Sequence, residues 1–555
     1  MSNRLVTDDN FVAQMKEANS WLAQIAAGDT AAKLDAVYTA MLDGTNTTRT
    51  FKQWYPQSAD GNTTKYQRLE RWFKMLATAY AGKKYTLKYA LIASSDSAMT
   101  PMDDLAGKTA APVVTDSTTD VNDWAEEDCM TWYVRANALS LADGTMNVTY
   151  IEGEDGFDIT GNAAPVYTFS LALWIREWSD NTGNYKSWAT TNPGGYWPYE
   201  GDIAPDNVKR AMTWHPTFCG GLTSDGKLTS GAGLAAAIEI SAVNGLAKAK
   251  LWNTYEGLWN DCDAKWLLDM WQLRHFNLEN SGILEGCTGY STDVTVAVAE
   301  TGVKRVLIPA ANLSSFIVGS TVCLSSSSRG GTRTFWNKRI SSIETVTVGG
   351  TSYTAVYIET DSTFDTTAGY HLATLPWFSG TTEALPGHSD GSIGSATNGK
   401  YTARVAGIEA LNGAWHIGIE PLWNVTANAT SGWDYEAYYC RNSEKLASSL
   451  ANYTASGIKF TGVATGWQYI KAFFVTKLGI LLPSVFGGSS SGWYKSAFDV
   501  GSSAGVRAPW RYGDLRDGGN AGLACAIGDA SPSGSYWAGA PRLGGAGKKR
   551  GEWAA

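Results

Sequence analysis

The chain reads as an α+β multidomain protein. It has a helical to mixed N-terminal half, a small β-barrel or sandwich, and a C-terminal domain of irregular loops on a small sheet. Three observations predict this. Apolar residues recur at helical spacing twice within about the first 90 residues. The block Asp293–Phe378 consists of short β-branched runs. The final third is rich in glycine and aromatic residues and has few long periodic segments.

The totals set the bounds. A length of 555 residues exceeds one core and suggests about three or four domains. With 44% hydrophobic and 17% charged residues the chain is a folded protein. A net charge of −9 argues against a nucleic-acid partner. The 24 tryptophans exceed what cores usually need, and aromatics are enriched at binding surfaces and subunit interfaces. Seven cysteines (Cys129, Cys219, Cys262, Cys287, Cys323, Cys440 and Cys525) form no C-x-x-C pair. Their spacing fits neither a zinc site nor a dense disulfide framework, so buried free thiols are expected, with an occasional disulfide left open. The N-terminus lacks the layout of a signal peptide, and no apolar run approaches 18 residues, so no membrane insertion is expected. In that setting the sequons, such as Asn147 and Asn452, are chance matches.

Taken in order, residues 1–100 form a helical region. Val12, Met15, Trp21, Leu22 and Ile25 mark one helical pattern, and Tyr66, Leu69, Trp72, Phe73 and Leu76 mark a second over Lys65–Tyr80. Such stripes pack against a neighbouring element or another subunit. Residues 101–290 read as a mixed scaffold, with strand-like MNVTYIEG and YTFSLALWIREW between turn-rich loops. Its clearest helix is Leu251–Phe276, where Leu258, Trp259, Cys262, Trp266, Met270, Trp271 and Leu273 line an apolar face and Asn280-Ser-Gly marks the end. Residues 291–380 form the β unit, with a hairpin turn at Gly349-Gly350. The turn-rich stretch Ser379–Gly399 then leads into residues 381–555.

The run Arg404–Trp423, the segment LLPSVFGGSSSGWY and the frame GGNAGL…RLG at Gly518–Gly544 carry a resemblance. Together they resemble the C-type-lectin-like variable proteins of diversity-generating retroelements, whose fold is shared with formylglycine-generating enzymes. That resemblance is specific over about Lys400–Gly544, weaker over Leu251–Tyr290, and absent from the first 100 residues. It implies a phage tail-fibre or tail-tip protein, a homotrimer exposed on the virion beside other tail proteins, that binds a host surface receptor, glycan or protein. It also implies a fixed frame of Gly513, Gly518, Ala521, Gly522, Arg542, Leu543 and Gly544 around a variable region at about 511–544. The positions implied to point outward are Tyr512, Asp514, Arg516, Asp517, Asn520, Ala524, Ala526, Asp529, Ser535 and Tyr536. Each is a residue that adenine replacement in asparagine codons can yield. Trp537 and Lys495 cannot arise that way and would be fixed contributors. Tyr and Trp offer rigid amphipathic area, while Ser, Asn and Asp adapt their hydrogen bonds, a chemistry suited to recognition. The sequence departs from the family in placing Tyr512 and Leu515 where relatives carry glycine and an aromatic residue.

Other functions were weighed on particular residues. Trp259-Asn260-Asp261 and Glu420-Pro421 suggest calcium-dependent sugar binding, but neither supplies a full set of hard oxygen ligands. The run Glu152–Asp158 reads as a solvated acidic loop. A glycan depolymerase needs two carboxylates across a sugar cleft. The cluster Asp123, Glu126, Glu127 and Asp128 is more simply a charged helix start. Cys440 and Cys525 lack the context of a copper pair, and the five histidines, His416 and His388 among them, lack a catalytic motif. No enzyme activity and no cofactor or metal is expected. A non-binding baseplate or decoration protein remains the alternative, with the depolymerase behind it.

Overall fold

The computed structural model describes residues 31–42, 46–59, 61–110, 130–383 and 399–545. Most of the first helical pattern, the cluster Asp123 to Asp128, Cys129, His388, most of the Ser379–Gly399 connection and the tail 546–555 lie outside the described residues. The fold is α+β and rich in strands, arranged as several sheets.

Three helices open it: α1 (Ala31–Met41), α2 (Thr47–Gln57) and α3 (Lys65–Ala79). Thr64 and Gln67 close a capping box at the start of α3, which satisfies two of the helix's orphan N–H groups. Its expected stripe is buried in full. Trp72 packs against Phe51, Trp54 and Trp132 with ring centroids 5.2–5.7 Å apart. Asp35 ties the three helices together, accepting from Arg71 Nη2 at 2.8 Å and from Trp54 Nε1 at 3.0 Å.

Two antiparallel sheets follow. One has four strands, in the order Met146–Ile151, Tyr133–Ser140, Val166–Leu171 and Met212–Pro216, and α3 packs on it. The other has five and includes Tyr85–Tyr89, Asn184–Ala189 and Trp174–Ser179. Two helices come next, α4 (Ala242–Ala249) and α5 (Asp261–His275). The sequence predicted a single apolar face on the Trp-rich helix starting near Leu251. Instead α5 begins at Asp261, capped by Asn260, and all 15 of its residues are buried. The helix runs through the centre of the molecule, so its polar side meets buried partners rather than water. Asp263 accepts from His215 Nδ1 at 2.7 Å, and Asp261 accepts from Arg511 Nε at 3.1 Å.

The β unit is a six-stranded antiparallel sheet, in the order Asp293–Thr295, His371–Leu375, Thr321–Ser327, Gly330–Val348, Thr351–Ile358 and Arg305–Pro309. Gly349 and Gly350 turn the hairpin with φ of 58° and 81°, a left-handed pair that glycine adopts without strain. Val306, Ile308, Val322, Leu324, Val356 and Leu372 form a core separate from the rest of the molecule. The expected barrel does not form. Its first strand has only three residues, and beyond it the two sheet edges meet through a single bond, Ala297 N–H to Leu307 O at 2.8 Å.

The C-terminal region is built on a seven-stranded sheet that runs through Ala526–Ile527, Trp510–Arg511 and Trp415–Ile417 to the edge strand Gly539–Pro541. Each is two or three residues long. One continuous apolar core holds Leu34 and Trp72 from the first helices, Trp271 from α5, and Phe498 and Leu523 from this region. Among the described residues no helix is long and apolar enough to cross a membrane.

Candidate functional site

The segment Arg511–Gly545 is too glycine-rich to hold its own shape, and buried side chains from distant parts of the chain fix it. Arg511 is 1% exposed and forks onto Asp261, with a further bond to Leu481 O at 2.8 Å. Glu279, fully buried, accepts from the N–H groups of Leu523 at 3.0 Å and Ala524 at 2.6 Å and from Ser496 Oγ at 2.9 Å. Burial pushes its carboxyl up to about 7 although these donors pull the other way. Arg542 donates to Glu409 O and Pro216 O, both at 2.7 Å, and lies over the Trp259 ring at 4.2 Å. Gly545 N–H reaches the Asp263 carboxylate at 3.1 Å. Gly522 is required by space and conformation together. Its φ is 139°, and a Cβ there would lie 2.3 Å from Ser496 Oγ.

Four of the expected outward positions are not outward: Tyr512, Asp514, Ala524 and Ala526 are each 0% exposed. The Tyr512 hydroxyl accepts from Trp259 Nε1 at 3.0 Å, which turns the ring inward. Ala524 is held by Glu279, and Ala526 sits in the sheet between Arg511 and Phe498. Asp514 is spent on Arg516, accepting from Nε at 3.1 Å and Nη2 at 2.6 Å. Arg516, Asp529, Ser535 and Tyr536 are exposed, and Asp517, Asn520 and Trp537 are half-buried.

Two of the exposed groups, Arg516 and Tyr536, join Trp537 in an arginine–aromatic ridge. Tyr536 and Trp537 lie with ring centroids 5.4 Å apart, and the Arg516 guanidinium sits 5.3 Å and 4.9 Å from them. A second guanidinium, Arg329 of the β unit, lies 4.6 Å from the Trp537 ring. Beyond it Arg333 stacks on Trp336 at 3.6 Å and pairs with Glu239, whose own N–H donates to Tyr536 O at 3.0 Å. Each stack is worth about 0.5–1 kcal/mol at an exposed site and pre-orders the long side chains. Sequence reading missed Arg329, Arg333, Trp336 and Glu239. Nothing in the stretch SSSSRGG points to residues about 200 positions away. Asp517 edges the ridge, and burial, then the charge of Asp514, pushes its carboxyl up to about 7.

The tempting calcium fragments are committed elsewhere. Asn260 caps α5, Asp261 holds Arg511, and Glu420 accepts from Cys440 N–H at 3.2 Å. In the acidic loop Glu152 and Glu154 pair with Arg135 and Lys65, while Asp158 closes its own turn. Among the described residues no group of three His, Cys, Asp or Glu is placed to hold a metal ion. Six cysteines are buried and free there. His416 packs edge-on against Tyr512 at 4.9 Å, and burial beside Arg542 holds its pKa well below the usual value.

Fold and surface define an α+β protein that displays a loop-borne arginine–aromatic surface on a buried polar frame. No protein-family model matches the chain, and no curated protein matches it.

Proposed function

We propose that the protein is a phage tail-fibre or tail-tip protein that binds a host-cell surface receptor through loops of a C-terminal C-type-lectin-like domain. One observation carries this reading. Within Arg511–Gly545, residues that hold the frame are buried by partners from far upstream, while Arg516, Asp529, Ser535 and Tyr536 between them face solvent. Such a division lets the outer residues change without touching the core, and binding residues concentrate on loops held by a rigid scaffold. On this reading the protein sits outside on the virion as a homotrimer, and several copies multiply weak single-site binding through effective concentration.

Deep sequencing of the gene's 3′ end across a propagated virion population tests it. Substitutions are expected at Arg516, Asp517, Asn520, Asp529, Ser535 and Tyr536, with Tyr512, Ala524, Ala526 and Trp537 constant. Changes spread equally over Arg511, Gly522 and Arg542 would sink the proposal, and a clonal profile would favour a fixed adhesin or a structural plug over a diversified receptor site.

A further inference from the structure

A cavity of about 250 Å³ lies on the other side of α5, and none of the residues lining it belongs to the Arg511–Gly545 segment. Three layers enclose it: the sheet containing Tyr85–Tyr89 and Asn184–Ala189, the side of α5 bearing Lys265 and Leu268, and the strands Gly466–Phe473 and Pro483–Phe486. Strand alternation sets the polar floor. Glu177 and Lys186 are register partners on adjacent strands, so their side chains rise from the same face. Lys186 Nζ donates to Asp269 at 2.7 Å, and Lys265 Nζ donates to Glu177 at 2.7 Å and Asp269 at 3.0 Å. These four side chains are each 8% exposed or less.

Tyr494 adds a hydroxyl to this lining. Its side chain lines the cavity and packs edge-on against Phe473 at 4.9 Å, and the residue is 3% exposed. Among the described residues no group hydrogen-bonds its hydroxyl, although the charged floor of Lys186, Glu177 and Asp269 is near enough to act on it. The hydroxyl faces the open cavity, where a ligand hydroxyl can take the place of water.

We propose that this cavity binds one uncharged pyranose sugar unit. Size sets the upper limit, since pockets for drug-sized ligands run to about 300–1,000 Å³. Charge selects against an ionic ligand. The buried floor is balanced within itself, Lys186 and Lys265 against Glu177 and Asp269, so an acid or amine would leave a buried charge unpaired. Chemistry selects for a polyol. The lysine N–H groups, the carboxylate lone pairs and the Tyr494 hydroxyl supply both donors and acceptors. Phe473 and Trp493 supply apolar faces for the C–H side of the ring, with Lys471 fixed 4.5 Å from the Trp493 ring. Val475 and Val485, 60% and 37% exposed, mark the mouth. The site stands independently of the receptor-binding reading.

The full chain is titrated with methyl α-glucopyranoside, methyl β-galactopyranoside and N-acetylglucosamine, read by tryptophan fluorescence and saturation-transfer NMR. Saturable binding of at least one sugar is expected. Val485→Trp, which plugs the mouth from an exposed position, is expected to weaken it by more than about tenfold. Tyr494→Phe is expected to weaken it about fivefold, and Arg516→Ala to leave it unchanged. The proposal is overturned if none of the three sugars binds, if binding survives Val485→Trp, or if only the acidic sugar N-acetylneuraminate binds.

Discussion

The β unit and the Arg511–Gly545 segment are held together in opposite ways. In the β unit, every strand pairs within the stretch 293–375, as where Thr345 to Val348 pair with Thr351 to Thr354 across a two-glycine turn, over a core of its own. In the glycine-rich segment the partners are remote. Arg511 meets its partner Asp261 across 250 positions, Leu523 meets Glu279 across 244, and Arg542 meets Pro216 across 326. Alternating β-branched residues specify a sheet locally, whereas glycine-rich loops carry little local preference and borrow their shape from buried polar anchors.

Breaking one anchor should therefore cost more than trimming the separate core. Arg511→Met leaves Asp261 buried without its partner, and a loss of about 3–5 kcal/mol is expected in urea unfolding. Hydrogen exchange should show the loss spreading from residues 511–545 to α5, and a cost below about 1 kcal/mol would refute the anchor's role. Val356→Ala opens a small cavity in the β unit, for an expected cost of about 2 kcal/mol. Faster exchange should stay within 293–375, and loss of protection at Leu523 and Ala524 would show the two regions to be coupled.

The gentlest contrast is in pH. Glu279 and Asp517 both titrate near 7 in the folded chain, raised from ordinary carboxylate values chiefly by burial. A raised carboxyl favours the protonated folded state, so this contribution is complete at low pH and is lost as pH rises through about 7. Each group adds a slope of at most about 1.4 kcal/mol per pH unit. Limited proteolysis is expected to nick the 511–545 loops faster at pH 8 than at pH 5 while the β unit stays equally resistant. Equal rates at both pH values would remove these two carboxyls from the account.

The same contrast explains what was legible in the sequence. The stripe on α3 and the hairpin at Gly349-Gly350 each follow from a local rule of period or turn type, and each is where it was expected. Tyr512, which the family resemblance implied to point outward, turns inward because its hydroxyl accepts from Trp259, 253 positions away. The polar residues of α5 resemble a wet face, and only the tertiary arrangement supplies Lys186, His215 and Arg511 to cover them. The ridge around Trp537 needed Arg329, which no spacing rule connects to it. The β-branched run at 295–301 reads as a strand, yet the first strand of the β unit is only Asp293–Thr295.

The burial of α5 has a consequence for how the chain is made. Asp261 and Asp263 leave the ribosome well before Arg511 and Gly545, the residues that later cover them. At about 5–20 residues per second, roughly tens of seconds pass before those partners emerge. During that interval the nascent centre of the molecule must stay hydrated and unfinished. Arrival of the glycine-rich segment is then the event that closes it, so the stretch that displays the arginine–aromatic ridge also acts as the keystone of assembly.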